Sequence, residues 1–310
     1  MTTYTLAPYC GHEQDADEVM AFLSGISRHP RNLAEYHIGD FVWQGYRDEP
    51  TPWLERLAIW RDPIGEIAAL GWFDVDSANE VGPTIHPALF GSAAETDLFA
   101  RIVAWGEDRH LALRGELSKP LGMTLLAEEP ESLALAEQHG FRFSGTSLYA
   151  YHMQELNHPI PTPVMPEGYE IVAMTDDADL VERVEIHREV WAPSKFTLEG
   201  YRRHRAAPIY RQDLDLVVRA PNGRYASYLI AWHDPESRTG LFEPVGARAE
   251  YRRLGLTRAL IYETLRRLRE LGATRAYVGS IGEEGPAKAL YRAAGFTTIA
   301  NWQWWQRDKG

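Results

Sequence analysis

A short loop in the second half of the chain combines basic residues with a glycine just where a helix is predicted to begin. The loop is Arg252-Arg253-Leu254-Gly255-Leu256-Thr257, and Arg258 follows it. Backbone N–H groups at a helix N-terminus have no partner within the helix and carry a partial positive charge, so they bind phosphates. Gly255 would let the backbone approach a ligand closely, and the arginines could add charge-assisted hydrogen bonds. The loop therefore predicts a pyrophosphate site.

The elements that must position this loop follow from the pattern of apolar residues. Leu241–Gly246 is predicted to be a strand that leads into the loop. Thr257–Leu271 has apolar residues at helical spacing, and Gly272 is suited to end that helix. Arg275–Ser280 is predicted to be the next strand, and Pro286–Gly295 the next helix with its C-cap. The order strand, loop, helix, strand, helix indicates an α/β fold.

Two motifs in this region resemble those of the GNAT superfamily of N-acetyltransferases. Arg252–Thr257 is similar to the acetyl-CoA motif Arg-x-x-Gly-x-(Gly/Ala), and Leu290–Phe296 looks like the family's later Leu-Tyr-x-x-x-Gly-Phe helix. The resemblance implies that acetyl-CoA binds at the loop as a co-substrate and that an amine attacks its thioester. Two positions depart from the pattern, because Thr257 replaces a Gly or Ala and Glu284 replaces a frequent Asn.

The resemblance also implies roles for groups near the thioester. Tyr291 is expected to protonate the departing thiolate as a general acid. Backbone N–H groups around Val245, Gly246 and Ala247 are expected to bind the acetyl carbonyl. Pro244 has no N–H to donate, so it breaks the strand ladder there. A strand that separates from its neighbour at this point would admit the pantetheine arm.

The base is expected on the same strand, upstream of the loop, as is common in the family. Strand alternation would place Leu241, Glu243 and Val245 on one face, which makes Glu243 the candidate, acting directly or through a water. His233 is a possible substitute. The alternative for Glu243 is a carboxylate at the surface or strand edge, and the alternative for Tyr291 is a core tyrosine.

The acceptor pocket is expected to draw on aromatic side chains of the second half. Trp191 and Trp232 could form walls for an amine, although packing in the core is at least as good an explanation for each. The expected acceptor is a primary amine of a small molecule, or of a peptide N-terminus. The sequence leaves its identity and the oligomeric state open.

Both halves of the chain show the same order of elements. Gly65–Phe73 and Arg224–Trp232 are strand-like runs, and a polar turn follows each, at residues 74–79 and 234–239. Each half then has a further strand, a long helix, a helix that ends in Gly-Phe, and an aromatic-rich strand. The repetition predicts two tandem GNAT-like domains of the α/β (α+β) class, each with a mixed, mostly antiparallel central sheet flanked by helices. Residues 1–157 would form the first domain, 158–168 a proline-rich linker and 169–310 the second domain.

The first copy lacks the residues that would bind the cofactor. The segment that corresponds to the loop runs from His86 to Glu95 and contains no Arg-x-x-Gly-x-Gly. Glu95 and Asp97 would repel a pyrophosphate, and Ala136 stands at the position of Tyr291. The first copy is therefore predicted to be degenerate, either a structural partner that shapes the acceptor site or a simple folded spacer.

Composition narrows the remaining function classes. The chain has 310 residues and a net charge of −12, which argues against nucleic acid as a partner. Cys10 is the only cysteine and the 11 histidines are scattered, so no metal site is expected. No signal peptide and no membrane-length apolar run is apparent, which favours the cytoplasm. An acyl-CoA-sensing module without catalysis and an interaction scaffold remain as alternatives to an enzyme.

Overall fold

The computed structural model describes residues 3–30, 36–47, 56–74, 79–114, 120–175, 178–282 and 284–307. The first half contains six strands and four helices among these residues: β1 Thr5–Pro8, α1 Glu13–Ser27, α2 Ile38–Arg47, β2 Leu57–Arg61, β3 Ile67–Asp74, β4 Glu80–Ile85, α3 Ala93–Arg114, β5 Leu121–Leu126, α4 Pro130–Gln138 and β6 Arg142–Glu155. Most of the predicted turn at residues 74–79 lies outside the described residues.

The second half repeats this order: β7 Glu170–Ala173, α5 Leu180–Val190, α6 Leu198–Arg205, β8 Asp215–Arg219, β9 Tyr225–Asp234, β10 Thr239–Ala247, α7 Leu256–Glu270, β11 Arg275–Ile281, α8 Pro286–Ala294 and β12 Thr297–Arg307. Short 3-10 turns occur at Pro87–Leu89, Gln212–Leu214 and Ala249–Tyr251. The predicted strands and helices around the basic loop are all present. The predicted linker, residues 158–168, contains neither helix nor strand.

The described strands form one continuous sheet of twelve, in the order β1-β2-β3-β4-β5-β12-β6-β11-β10-β9-β8-β7. The pairs β4–β5 and β10–β11 are parallel, and the other pairs are antiparallel. The predicted class, a mixed and mostly antiparallel sheet flanked by helices in two copies, is therefore confirmed.

The last strands of the two halves are exchanged at the centre of the sheet. β12 pairs with β5 of the first half, and β6 pairs with β11 of the second half. β6 and β12 also pair with each other. This exchange was not predicted from the sequence, and it joins the two sheets without an edge between them.

Helices cover the two faces of the sheet differently. One face carries a shared core, to which α1 and α2 of the first half and α5 and α6 of the second half contribute buried side chains. On the other face, α7 and α8 pack in one cluster and α3 and α4 in another. Alternate residues of β9 illustrate the division, because Ile230 belongs to the shared core and Leu229 to the cluster under α7.

Candidate active site

A cleft opens between β10 and β11 where their pairing stops. β10 pairs with β11 only from Thr239 to Phe242. Its pairing with β9 continues to Ala247, with a bulge between Phe242 and Val245. Pro244 lies within this bulge, where it has no N–H to donate to a ladder. The strand therefore separates from β11 as the proline predicts, and we call the resulting gap the β10–β11 cleft.

Two backbone N–H groups of β10 face this cleft. The Arg248 N–H donates to the Ala226 carbonyl at 3.1 Å, which fixes the phase of the antiparallel ladder. Because hydrogen-bonding direction alternates along such a ladder, the Gly246 N–H faces β9, while those of Val245 and Ala247 face away from it. Two of the three predicted carbonyl-binding donors thus lie on the cleft side. Gly246 is needed for another reason, since a Cβ there would lie 2.7 Å from Cγ1 of Val190.

The bulge corrects the predicted orientation of side chains on β10. Leu241 belongs to the shared core, whereas Val245 packs on the opposite face of the sheet. The prediction that Leu241, Glu243 and Val245 share a face is therefore wrong, because the extra residue in the bulge changes the alternation.

Glu243 lies in this bulge and is half-buried. Its charge raises the pKa of Tyr151 in the shared core and also that of Tyr291 below the opposite face. A carboxylate with this placement acts electrostatically on both sides of the cleft. His233, the possible substitute, lies opposite Gly240, at the end of β10 away from Val245.

Tyr291 of α8 is buried, with 5% of its surface exposed. Burial and the charge of Glu243 raise its pKa well above the ordinary value, so the phenol keeps its proton at neutral pH. Among the residues that the structure describes, its hydroxyl has no hydrogen-bond partner. A protonated, buried hydroxyl without a partner can donate to a group that enters the cleft.

The basic loop leaves the end of α7 open. Arg253 and Gly255 have φ values of 66° and 79°, so the chain turns tightly before the helix starts at Leu256. No side chain caps this end, and the first backbone bond of the helix runs from the Ala259 N–H to the Gly255 carbonyl at 3.0 Å. The N–H groups of Leu256, Thr257 and Arg258, which precede Ala259, therefore have no acceptor within the helix.

The side chains of the loop divide into two kinds. Arg252, Arg253 and Arg258 are exposed and create a positive surface at the open end of α7 on a chain of net charge −12. Leu254 is 46% exposed, whereas Leu256 is 2% exposed and packs into the core. Leu254 can therefore contact a ligand through its side chain, whereas Leu256 can offer a ligand only its backbone.

The two departures from the family pattern have local explanations. The hydroxyl of Thr257 lies 2.9 Å from that of Ser227, which itself donates to the Gly246 carbonyl at 2.9 Å. Thr257 is therefore the donor to Ser227, and its branched side chain is held against β9. Glu284 is exposed and forms an ion pair with Lys288 at 3.1 Å.

The two tryptophans have different environments. Trp191 is 40% exposed, and its indole N–H donates to the Tyr228 hydroxyl at 2.8 Å. Trp232 has no exposed surface, and its indole N–H donates to the Glu243 carbonyl at 2.8 Å. The prediction of Trp232 as a pocket wall is corrected accordingly, because its ring is enclosed in the shared core and instead supports the backbone of Glu243.

Three residues that sequence reasoning missed lie on the shared-core side of the sheet. Tyr151 of β6 stacks on Tyr277 of β11, with ring centroids 5.6 Å apart. Asp40 of α2 is close enough for its charge to raise the pKa of Tyr151. The aromatic character of β6 was visible in the sequence, but nothing local connects α2 with this strand.

In the first copy, the chain's own side chains close the corresponding helix end. The Ser92 hydroxyl accepts the Glu95 N–H at 3.3 Å, and the Glu95 carboxylate accepts the Gly91 N–H at 2.5 Å. The arrangement is similar to a capping box, although the glutamate accepts the N–H of the residue before the cap, and the two side chains satisfy donors that a phosphate would otherwise need. The Phe141 N–H bonds to the Ala136 carbonyl, just as the Phe296 N–H bonds to that of Tyr291, so Ala136 does occupy the tyrosine position.

Comparisons with known proteins agree with this architecture. Residues 181–296 match the model of the acetyltransferase (GNAT) family. A GCN5-related N-acetyltransferase from Sphaerobacter thermophilus has a similar structure, with a TM-score of 0.67, 18% identity, and coverage of 98% of this chain and 95% of that one. A tandem GNAT protein from the clavulanic acid biosynthesis pathway gives a TM-score of 0.66 and 16% identity, with 99% of each chain covered. No curated protein matches the chain.

The described residues show neither a membrane-spanning helix nor a cluster of metal ligands. None of their helices is long and apolar enough to cross a membrane. The same residues contain no group of three or more side chains that could hold a metal ion.

Proposed function

We propose that this protein, whose second half is a domain of the acetyltransferase (GNAT) family, moves an acetyl group from acetyl-CoA to a primary amine of a small molecule or peptide. One observation carries the proposal. The Val245 and Ala247 N–H groups of β10 face away from β9, the chain then reaches the uncapped end of α7, and the Tyr291 hydroxyl has no hydrogen-bond partner among the described residues. The first copy has the same elements but lacks both the open helix end and the tyrosine.

The donor would be held by the loop and by β10. The N–H groups of the first turn of α7, with the exposed Arg252, Arg253 and Arg258, suit a pyrophosphate. The Val245 and Ala247 N–H groups, which face away from β9, suit the acetyl carbonyl. The loop and the cleft lie at the two ends of one short connection, as an extended donor requires.

The side chains then move protons at two places. Glu243 takes one proton from the incoming ammonium, directly or through a water, and so frees the lone pair that forms the new C–N bond. As the C–S bond breaks, Tyr291 gives its proton to the thiolate. The acylated nitrogen still carries one surplus proton, which passes to the Tyr291 oxygen. Glu243 then releases its own proton to solvent. The products are an amide, a thiol and one proton.

Replacing Tyr291 with phenylalanine distinguishes an enzyme from a binding module. We expect kcat for CoA release to fall about 10²- to 10⁴-fold, the usual contribution of a general acid, while acetyl-CoA affinity stays unchanged. Tyr262→Phe is the matched control, because Tyr262 lies on α7 and its hydroxyl donates to the Ala293 carbonyl at 3.3 Å, outside the proposed machinery. The assay follows thiol release across a panel of amines.

The outcomes separate the alternatives. Tight acetyl-CoA binding without turnover of any amine would favour a sensing module. Calorimetry that detects no acetyl-CoA binding at millimolar concentration would refute the proposal altogether. Equal rates for the Tyr291→Phe variant and the wild type would remove the tyrosine from the mechanism.

A further inference from the structure

Helix α2 of the first copy is fixed against β9, β10 and α6 of the second copy. The His37 ring lies 3.0 Å from the Thr239 hydroxyl, at the start of β10. Gly39 packs so closely on Trp232 that a Cβ would lie 2.5 Å from the tryptophan Cβ. Trp43 stacks on His204 of α6 with ring centroids 4.5 Å apart. Trp232 in turn donates its indole N–H to the Glu243 carbonyl. The residue after Gly39 therefore has a defined position relative to Glu243.

That residue is Asp40, and one of its carboxylate oxygens is unused. Oδ2 accepts the His37 N–H at 2.9 Å, which closes the first turn of α2. Oδ1 has no hydrogen-bond partner among the described residues. Burial raises the pKa of this carboxyl to about 7. A cation beside Oδ1 would offset the cost of holding the charged form there.

Two stacked tyrosines, Tyr151 and Tyr277, belong to the same core as Trp232, on which Gly39 packs. Tyr151 is 9% exposed and Tyr277 is half-buried, and neither hydroxyl is hydrogen-bonded to a residue that the structure describes. Trp232 connects the two carboxylates, because Gly39, next to Asp40, packs on it and its indole N–H donates to the Glu243 carbonyl. Burial raises the pKa of Tyr151, and the charges of Asp40 and Glu243 raise it further. The Asp40 oxygen and the two hydroxyls are not among the described atoms that are both enclosed and without a partner, so they are open to a ligand with donors to offer.

The two carboxylates belong to different parts of the molecule. Glu243 lies in the bulge of β10, close to Val245, whose N–H is proposed to bind the acetyl carbonyl, whereas Asp40 lies on α2, which packs in the shared core. In the proposed reaction, Glu243 therefore faces the thioester and Asp40 a more distant part of the acceptor. An ammonium is a compact charge with three donors, which matches one free carboxylate oxygen and one hydroxyl.

We infer that the acceptor carries a second ammonium, as a diamine or polyamine does, and that Asp40 and Tyr151 bind this ammonium while Glu243 faces the amine that reacts. The inference rests on the proposed acetyl transfer. The degenerate copy would then take part in substrate selection, because Asp40 belongs to α2.

The test compares 1,4-diaminobutane with butylamine, which has the same carbon chain and one ammonium fewer. Asp40→Asn keeps an oxygen for the His37 N–H and removes the charge. We expect KM for diaminobutane to rise at least tenfold in this variant, with kcat nearly unchanged and butylamine kinetics unaffected. Asp179→Asn is the matched control, because Asp179 caps α5 through the Glu182 N–H at 2.9 Å and is exposed.

A second variant, Tyr151→Phe, should raise KM for diaminobutane in the same selective way. Equal changes for the two amines in both variants, or no change for either, would overturn the inference. If the wild type acetylates monoamines as well as diamines, with equal kcat/KM, the inference also fails, although the proposed transfer stands. If the wild type acetylates no amine, the proposed function itself fails.

Discussion

Gly255 and Gly91 allow the phosphate-binding role of the loop to be separated from its structural role. Each precedes a long helix, α7 or α3, and each has a φ of 79°. A Cβ built on either would meet no atom within 4 Å. Alanine at either position therefore costs only the strain of a left-handed backbone, roughly 1–2 kcal/mol. For a chain of 310 residues, whose unfolding entropy is about 0.65 kcal/mol/K, that corresponds to a fall in Tm of about 2–3 °C.

The two substitutions should differ in their effect on acetyl-CoA binding. At Gly255 the new methyl group stands at an open helix end, and relief of the strain would turn the first N–H groups away from the ligand. Loss of one hydrogen bond to a charged group costs about 1.5–3 kcal/mol, which is roughly a 10- to 150-fold increase in Kd. At Gly91 the helix end is already closed by Ser92 and Glu95, so Kd should not change.

Thermal unfolding and calorimetric titration with acetyl-CoA measure the two effects. The expected result is a similar fall in Tm for Gly255→Ala and Gly91→Ala, with a higher Kd for Gly255→Ala alone. The reasoning is refuted if both variants weaken binding equally. It is also refuted if Gly255→Ala lowers Tm and leaves Kd at the wild-type value, because the open end of α7 would then not bind the donor.

Two further substitutions test the remaining electrostatic and capping arguments. Ser92→Ala should lower the free energy of unfolding by about 1 kcal/mol through loss of the α3 cap, without changing Kd for acetyl-CoA; a weaker Kd would contradict a closed helix end. Asp40→Asn should make the protein more stable than wild type near pH 8, because the pKa of Asp40 rises from 3.8 to about 7 on folding and the folded state then binds the extra proton. This advantage should decline as the pH falls through 7 and vanish below about 4, as denaturant unfolding at several pH values would show; an advantage independent of pH would contradict the burial argument.

The sequence predicted those parts of the site that depend on local order. The loop Arg252–Thr257 and the helix that holds Tyr291 are recognisable because glycine, proline and apolar spacing fix short segments directly. The separation of β10 from β11 also follows from a single residue, Pro244. The orientation of Val245 does not, because the bulge adds one residue whose position depends on pairing with β9.

Contacts between distant segments could not be predicted in the same way. Asp40 lies on the shared-core side of the second copy's sheet only because α2 packs on Trp232, nearly two hundred residues further along the chain. Trp232 itself looked equivalent to Trp191 in the sequence, and packing alone decides that one is enclosed and the other is exposed. Propensity and periodicity describe one segment at a time, whereas both of these outcomes depend on which segments meet.

The exchanged strands explain why the second copy depends on the first for its structure, although the corresponding helix end of the first copy is closed. β12 depends on β5 and β6 for its pairing, and β11 depends on β6, so the first copy supplies strands to the sheet that carries Tyr291. On the shared face, α2 covers Trp232, which in turn holds the Glu243 carbonyl. Mutations that closed the first helix end with Ser92 and Glu95 would leave all of these contacts intact. The first copy could therefore lack the proposed catalytic residues, while its contacts with the second copy keep its strands and α2 unchanged.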